Sequence, residues 1–422
     1  MSFIQSQSTK EKRKKQLCKI YEVKIDMSRL SKDKLEFLNR LFLEAKWWYN
    51  FCLSQKNIFS VDCKLKKVSV MNKEREFEEK DLRHLSSSMR AKIYQKIIYN
   101  IKGLATKKKK NEKVGKLKFK SEINSIPGNM YVKSNSIKIE NYKKVFKVRG
   151  LKQIPENSEI SSIRLIRKPF SFFFHITTFQ QKQERSISNQ TIGCDLGIKN
   201  ILNFSNGIKI DTTFKNNKIR LIQKKISRQI RNSKNKFKSR MKIRKEYLKI
   251  NNQKEDVSNK ITSYLKNNFD FICIQNDNLV GWQRLYGRKI SSTIIGRILD
   301  ELRKTSKTIF VDRYFPSTQI CPLCSSKTKF TLSERMFKCH VCGFEEDRDI
   351  KSAKLIKIEG LSYRKIPMVY GDFKLVENKT SSLMFDYFKT IPNIKVSLYS
   401  MKQEDYLLDN QYISPLIATF AT

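Results

Sequence analysis

Two pairs of cysteines constrain the fold of this chain more than any other feature of its sequence. Cys321-Pro-Leu-Cys324 and Cys339-His-Val-Cys342 are separated by fourteen residues. A CxxC pair forms a tight turn that directs two thiolates at one point, and two such turns complete the tetrahedral four-thiolate site that zinc prefers. We therefore predict a zinc ribbon with one structural Zn²⁺ at residues 313–345. The alternatives are redox-active CxxC pairs and unliganded thiols.

Positive charge is the second constraint. The 87 Lys and Arg residues against 40 Asp and Glu residues give a formal net charge of +47. Self-repulsion on this scale opposes a compact state unless a polyanion offsets it, and nucleic acid is the obvious polyanion. Since hydrophobic residues make up 39% and aromatic residues 11% of the chain, it is globular rather than a disordered basic tail. We therefore expect a nucleic-acid-binding protein rather than an ordinary small-molecule enzyme.

The sequence also limits chemistry and location. Only 3 histidines are present, which argues against acid/base catalysis by histidine and against a His-rich metal site, and His340 lies inside the second CxxC pair. The nine cysteines do not have the spacing of a secreted disulfide framework. We find no signal peptide, and the longest apolar cluster, Phe170–Phe179, is too short and interrupted to span a bilayer. We expect a cytoplasmic protein with no membrane partner.

Hydrophobic patterning in the first half predicts a small β-barrel with a helical insertion. A strand is predicted over Leu17–Ile25, Ser31 is placed to cap a long helix, and residues 80–104 form a second helical segment. Alternating residues then predict further strands at Ser136–Ile139, Val145–Val148, Ser162–Ile166 and Phe172–Thr178. The order of strand, helices and strands is what a barrel interrupted after its first strand requires.

The second half predicts an α/β sheet. Strands at Gln190–Cys194, Phe271–Gln275 and Thr308–Val311 alternate with helices, and Asn206-Gly207 indicates a hairpin. The predicted helices are a very basic one at 215–250 and others at Val257–Leu265, at Ser291–Lys304 and from Asp347 to Ile356. Glu246 is the single acid between Lys215 and Lys249, whereas solvated helices usually mix both signs of charge. This favours a phosphate-facing role for the basic helix.

Three aspartates are placed where a metal site could form. Asp195 ends an apolar strand, Asp277 follows the buried strand Phe271–Gln275, and Asp349 lies at a helix start. Each has an ordinary alternative, as a turn residue, a loop acid and a helix cap respectively. Two-metal hydrolysis of phosphodiesters needs such carboxylates to hold two Mg²⁺ ions about 4 Å apart. In a chain so poor in acids, the set favours a catalytic Mg²⁺ site.

These motifs together resemble a known family. Gly193-Cys-Asp195-Leu-Gly-Ile-Lys199, the segment Ile274–Trp282, the four cysteines, and Asp347-Arg-Asp349-Ile-Lys-Ser-Ala353 are similar to the RuvC-like nuclease and zinc ribbon of TnpB. This family, also called OrfB, is encoded by insertion sequences and is related to compact type V CRISPR effectors. Gly115-Lys-Leu-Lys-Phe-Lys120 and the strands up to Thr178 resemble its wedge region, so the resemblance covers about residues 17–356.

The resemblance implies an RNA-guided DNA endonuclease encoded by a transposon, with guide RNA and target DNA as partners. It implies a multidomain α/β and β fold, in which a wedge β-barrel with a helical insertion precedes a RuvC-like RNase H fold with an inserted zinc ribbon. Asp195, Asp277 and Asp349 would bind Mg²⁺, and we favour a monomer.

The domain boundaries expected from this resemblance run in chain order. They are a basic flexible N-terminus at 1–16, a first wedge strand at 17–30, a helical recognition insertion at 31–113, a wedge β-barrel at 114–188, a RuvC-like nuclease at 189–312 with its basic helix at 215–250, a zinc ribbon at 313–345, a last RuvC-like segment at 346–360 and a C-terminal tail at 361–422.

Two departures from the family pattern keep rival functions open. The second acid of the family is usually Glu, whereas this chain has Asp277, or the neutral Gln275 in another alignment. Lys351 stands where the family usually has Asn, so a cation lies near the expected metal site. The first rival is a nuclease-inactive RNA-guided DNA-binding protein. The second, a DNA transposase acting directly in strand transfer, is disfavoured because histidine is so rare.

Overall fold

The computed structural model describes residues 9, 11–72, 76–181, 190–214, 216–328, 334–364 and 377–399. The chain divides into two compact units, Met1–Glu184 and Arg185–Thr422, and is a mixed α/β protein. The expected N-terminus at 1–16, the boundary at residue 188 and the tail at 361–422 fall wholly or partly outside the described residues. None of the helices in these described ranges is both long and apolar enough to cross a bilayer.

The first unit is built on a seven-stranded antiparallel sheet in the order β4-β8-β9-β1-β7-β6-β5, with β2 and β3 forming a separate hairpin. The strands are β1 (Gln16–Ile25), β2 (Lys67–Met71), β3 (Phe77–Asp81), β4 (Ser125–Gly128), β5 (Met130–Lys133), β6 (Ser136–Ile139), β7 (Val145–Arg149), β8 (Glu159–Lys168) and β9 (Ser171–Gln181). Because only Asn129 separates the two edge strands β4 and β5, the sheet must curl until its edges approach each other. The predicted barrel is therefore a curled half-barrel among the described strands.

Two helices pack on this sheet. Helix α1 (Lys32–Ser54) begins where predicted, since the Ser31 hydroxyl accepts a hydrogen bond from the Lys34 backbone N–H at 3.4 Å. Helix α2 (Ser87–Lys109) begins seven residues later than the predicted start at 80, because Ser86 caps it through the Met89 backbone N–H at 3.2 Å. Trp48, Phe146 and Phe174 are among the fully buried side chains of this core.

The second unit is built on a six-stranded sheet in the order β14-β13-β10-β11-β12-β17. Its strands and a two-stranded hairpin of β15 and β16 are β10 (Thr191–Leu196), β11 (Leu202–Phe204), β12 (Ile208–Thr212), β13 (Phe271–Gln275), β14 (Thr308–Val311), β15 (Met336–Lys338), β16 (Glu345–Asp347) and β17 (Ile394–Leu398). Strands β10, β13 and β14 are parallel, whereas β10, β11, β12 and β17 are antiparallel. The predicted hairpin turns at Gly207, whose φ of 85° suits glycine.

Helices cover this sheet and extend beyond it. They are α3 (Asn217–Arg228), α4 (Lys234–Asn268), α5 (Leu279–Tyr286), α6 (Arg288–Ser292), α7 (Ile295–Leu302), α8 (Arg348–Ser362) and α9 (Glu377–Lys389). The predicted single basic helix at 215–250 is two helices, since Asn232 has a φ of 65° and Ser233 caps α4. Helix α4 then continues to Asn268 and includes the predicted separate helix Val257–Leu265.

The two faces of the six-stranded sheet carry different helices. Apolar residues of α4 and α7 pack with Ile192 and Ile274 in one buried cluster. On the other face, a Cβ at Gly193 would lie 2.0 Å from the Ala353 carbonyl oxygen of α8, so only glycine permits this close approach. A Cβ at Gly360 would likewise lie 2.6 Å from the Cys273 sulfur. Helix α8 is thus held directly against the centre of the sheet.

Part of the expected C-terminal tail is an integral element of this unit. Strand β17 pairs with β12 along five residue pairs, and α9 places Met384 and Phe388 in the core with no exposed surface. Residues 377–399, which lie within the expected C-terminal tail at 361–422, are therefore part of the fold of this unit. Their burial follows from the apolar positions of α9, which need a covering surface.

Candidate metal sites

Asp195 lies near the end of β10, on the sheet face that α8 covers. It is paired across the sheet with Asn203 of β11, and it is only 9% exposed. Burial raises the pKa of Asp195 well above its usual range. The carboxylates of Asp349 and Asp277 raise this pKa further, whereas the Arg348 guanidinium lowers it. A carboxylate in such a place gains stability from a bound cation or a proton.

The other two aspartates approach Asp195 from different elements. Asp277 lies two residues beyond β13, and burial raises its pKa to about 6. Asp349 lies in the first turn of α8, which Asp347 caps by accepting hydrogen bonds from the backbone N–H groups of Asp349 and Ile350. The Asp349 carboxylate forms ion pairs with Arg348 at 3.2 Å and with Arg335 at 3.6 Å.

The three aspartates are near enough to interact electrostatically, but their carboxylates do not form a tight cluster. Asp277 and Asp349 both act on the titration of Asp195. Among the described residues, the group of three or more His, Cys, Asp or Glu side chains whose ligand atoms all lie within 4.8 Å of one another consists of the four cysteines. The aspartates could therefore share cations only with some closer approach or with water between them.

Gln275 stands beside Asp195 in the sheet. Cys194 pairs with Ile274 in parallel register, so Asp195 and Gln275 follow on neighbouring strands and face the same side. The Gln275 side-chain amide donates hydrogen bonds to the backbone carbonyl oxygens of Phe315 at 2.8 Å and Asp312 at 3.1 Å. It also lies 3.3 Å from the Arg313 carbonyl oxygen. The amide thus fixes the loop after β14.

Lys351 faces the cysteine-rich segment. The side chain is fully buried, and its amine donates hydrogen bonds to the carbonyl oxygens of Thr318 and Ile320, both at 2.8 Å. The amine also lies 3.7 Å from the centre of the Phe337 ring. Burial lowers the pKa of Lys351 to about 7. The lysine therefore joins α8 to the ribbon segment, a role that its position in the sequence did not indicate.

The four predicted cysteines converge. The sulfur atoms of Cys321 and Cys342 are 3.5 Å apart, as are those of Cys324 and Cys339. Four thiolates around one Zn²⁺ at about 2.3 Å would be separated by roughly 3.8 Å, so the cluster could hold this metal. The backbone supports it, since β15 and β16 form the hairpin that carries Cys339 and Cys342, with Phe337 buried beneath.

Reasoning from sequence did not identify two groups near these sites. Asn203 is fully buried beside Asp195, and its sequence signal was a polar residue within the apolar run Ile201–Phe204. Lys354 and Glu346 form a buried ion pair at 2.6 Å that joins α8 to β16. Their spacing of eight residues across a strand–helix junction gave no sequence signal.

The fold and these sites define a class of basic α/β protein with carboxylates at the strand ends and a four-cysteine cluster next to them. Residues 302–356 match the family model of the Cas12f1-like TNB domain. Residues 174–276 match the OrfB family model, which is described as a probable transposase. Both matches fall in segments that carry the motifs, and they confirm the resemblance to the TnpB (OrfB) family.

Individual proteins show the same similarity. A curated protein of Streptomyces pristinaespiralis, named as a candidate RNA-guided DNA endonuclease, is 24% identical over 230 residues. The match covers 51% of this chain and 56% of the relative, so the chain spans about half the length of the curated protein it matches. A cryo-EM structure of a Cas12f1–sgRNA–target DNA complex aligns with a TM-score of 0.44 and 12% identity, covering 81% of this chain and 99% of that one.

Proposed function

We propose that the protein is an RNA-guided DNA endonuclease of the TnpB type, which cuts DNA by two-metal RuvC-like hydrolysis. The observation that carries the proposal is Asp195, a buried carboxylate that forms no ion pair among the described residues. It is coupled electrostatically to Asp277 and Asp349. Buried charges in proteins are paired or coordinate metals, so a bound cation would stabilise the ionised form of this group. The name of the Streptomyces pristinaespiralis relative supports the same function.

The topology of the second unit supports a RuvC-like fold. Strands β10 and β13 are adjacent and parallel, so their carboxyl ends meet at one edge of the sheet. Ligands of open α/β sheets bind at such edges. Asp195 and Asp277 lie at or just beyond this edge, and α8 brings Asp349 toward it. We keep the RuvC-like boundaries at 189–312 and 346–360 within this proposal and add residues 377–399.

The donor set fits Mg²⁺. This hard cation takes oxygen ligands, and Asp195, Asp277 and Asp349 offer carboxylate oxygens, whereas the cysteine cluster found among the described residues contains none of the three. A bound divalent cation supplies Lewis acidity at the scissile phosphate. Asp195 would hold the cation from a rigid central strand, and Asp349 would hold it from the start of a capped helix.

The cysteine cluster is proposed to hold one structural Zn²⁺. All four positions are taken by protein thiols, which leaves no open position for substrate. The ribbon has only a small apolar cluster of its own, built on Phe337 and Phe344, so metal binding would supply much of its folding free energy. Elemental analysis should find one zinc per chain, which is lost in Cys321→Ser with Cys339→Ser.

Guide RNA and target DNA are the proposed partners. Helix α3 and the first half of α4 expose basic side chains almost without acids, which suits contact with phosphates. The basic stretch at 107–167 in the first unit is proposed to bind RNA as well. We propose a monomeric protein that reads a short target-adjacent motif itself and the remaining target by base pairing.

The test is metal-dependent cleavage by the guide-loaded protein. We expect cutting of target DNA with Mg²⁺ or Mn²⁺, abolished by Asp195→Ala and by Asp349→Ala. The matched control is Asp256→Ala, which removes an exposed acid that pairs with Lys260 on α4. If a complex that binds its target cuts nothing with any divalent metal, the endonuclease proposal fails.

A nuclease-inactive RNA-guided DNA-binding protein is the second candidate, and Gln275 favours it. This neutral amide occupies the position in register with Asp195, and its hydrogen bonds are committed to the loop after β14. A neutral amide brings no charge to hold Mg²⁺. Guide-dependent DNA binding without cleavage, followed by a gain of cleavage in Gln275→Glu, would support this candidate over the first.

A further inference from the structure

Asn203 is a buried polar side chain that makes no side-chain hydrogen bond among the described residues. It lies in β11 with no exposed surface. Within the described part of the chain, neither its Oδ1 nor its Nδ2 atom has a hydrogen-bond partner. Leaving both ends of an amide unpaired in a protein interior is costly, and native structures rarely tolerate it without a bound water, an ion or a functional role.

The position of Asn203 beside Asp195 indicates which ligand its amide could bind. Asn203 and Asp195 are direct partners in antiparallel register, so their side chains stand on the same face of the sheet with Cβ atoms about 5 Å apart. A Cβ at Gly197 would lie 3.4 Å from Asn203 Nδ2, which places the amide near the end of β10. A buried carboxylate and an unpaired buried amide are therefore neighbours at the edge where Asp277 and Asp349 approach.

Within the described part of the chain, no Lys, Arg or His side chain forms an ion pair with Asp195. Arg348 and Lys351 both lie within electrostatic range of Asp195, but Arg348 pairs with Asp349, and the Lys351 amine donates its hydrogen bonds to the Thr318 and Ile320 carbonyl oxygens. An amide oxygen is a neutral, hard ligand of the kind that Mg²⁺ and Mn²⁺ accept beside carboxylates. Adding such a ligand costs no further charge repulsion among the acids.

We infer that Asn203 is a further ligand of the divalent cation held by Asp195, with its amide oxygen completing the donor set. The inference rests on the proposed function, because it assumes that Asp195 binds a divalent metal. It extends that function by assigning a site residue from a strand that carries none of the three aspartates. It also places an amide ligand on one side of Asp195, whereas the Gln275 amide on the other side already donates hydrogen bonds to the loop after β14.

The test measures metal binding rather than cleavage. Mn²⁺ is titrated calorimetrically into the zinc-loaded full chain, freed of RNA and kept at high salt. We expect Asn203→Leu, which is similar in volume, to weaken Mn²⁺ binding about tenfold or more, as loss of metal-site partners usually does. Asn203→Asp should bind Mn²⁺ more tightly than the wild type, and it keeps the test open if the leucine variant does not fold.

The controls separate the inference from the proposed function. Asn50→Leu removes an asparagine whose amide is fully paired with the Lys120 backbone, and it should leave Mn²⁺ affinity unchanged. If Asp195→Asn abolishes Mn²⁺ binding while Asn203→Leu and Asn203→Asp bind as the wild type does, the inference about Asn203 is overturned and the metal site stands. If the wild type binds no Mn²⁺, the proposed metal site itself fails.

The melting temperature of the metal-free protein gives a second readout. Replacing an unpaired amide by an apolar group of similar shape should raise it. A lower melting temperature together with unchanged Mn²⁺ affinity would mean that the amide is satisfied structurally, for example by a buried water, and would overturn the inference.

Discussion

At the scale of single residues, the side chains around Asp195 divide into those that could bind a cation and those that hold the backbone. Asp277 and Asp349 belong to the first group through their electrostatic effect on Asp195. Gln275 and Lys351 belong to the second, since each donates hydrogen bonds to carbonyl oxygens of the segment between β14 and the cysteines. Residues near the candidate metal site can thus have structural roles that their sequence position does not reveal.

Gln275→Glu tests whether the Gln275 side chain holds the backbone rather than binding a cation. A carboxylate would face the carbonyl oxygens of Asp312 and Phe315 without a proton to donate, so we expect the metal-free protein to lose about 2 kcal/mol of stability. Mn²⁺ should restore part of this loss, because the new charge lies beside Asp195. Denaturant unfolding with and without Mn²⁺ measures both effects. Gln283→Glu, on the exposed surface of α5, is the control, and equal stability of both variants would contradict the assignment.

Lys351→Met tests the link between α8 and the ribbon. The variant leaves the Thr318 and Ile320 carbonyl oxygens without the Lys351 donor. This loss should destabilise the segment that carries the cysteines by about 2 kcal/mol. We expect faster zinc release to a chelator and faster proteolysis within 313–345. Lys338→Met is the control, because this side chain is 68% exposed on the hairpin of β15 and β16. This variant should release zinc at the rate of the wild type. Identical zinc release in both variants would rule out the link.

At the scale of helices and strands, the features predicted correctly are those whose signals come from residues close together in the sequence. Strands Ser136–Ile139 and Phe271–Gln275 were predicted with their observed bounds, because alternating or continuous apolar residues between turn signals need no distant partner. The four cysteines followed from spacing alone. Strands β4 and β5 were missed, since Pro127 and Gly128 indicate a loop and the strands exist only through distant pairing.

The same reasoning explains the errors in the second unit. Strand β17 pairs with β12, which lies far away in sequence, so no local pattern distinguished it from the tail around it. The basic stretch has apolar residues at helical spacing on both sides of Asn232, and the backbone from Gln229 to Ser233, including the positive φ of Asn232, separates α3 from α4. Asn203 was missed because an unpaired buried amide is visible only when its neighbours are known.

Phe388→Ala measures whether α9 belongs to the fold. Phe388 has no exposed surface, and its ring stacks on Phe204 with 6.2 Å between centroids. Truncating such a side chain should cost about 3–5 kcal/mol through lost burial and a residual cavity. Leu383→Ala, at a position that is 65% exposed on the same helix, should change stability by less than about 0.5 kcal/mol. Equal unfolding free energies for the two variants would exclude α9 from the core.

At the scale of the whole molecule, charge governs behaviour. A net charge of +47 repels itself, and the repulsion weakens only with salt or with a bound polyanion. The basic side chains of α3 and the start of α4 are exposed, and few acids lie near them in the chain. The protein free of nucleic acid should therefore have its lowest free energy of unfolding at low salt. A bound RNA would both stabilise the fold and occupy this surface.

Reversing charge on the two basic helices and the turn between them should separate a defined binding surface from a general effect of charge. The test variant changes Lys224, Arg228, Arg231 and Lys234 to Glu, and the control variant changes four other exposed lysines, Lys56, Lys64, Lys389 and Lys395, to Glu. Both variants have the same net charge. If α3 and α4 contact phosphates, the test variant should bind RNA more weakly for all sequences alike. Its slope of log affinity against log salt concentration should fall by about three, since each lost contact to a single strand removes about 0.7. Filter binding over a range of salt concentrations measures both quantities. An equal loss of affinity and slope in the control variant would mean that net charge, rather than these helices, holds the RNA.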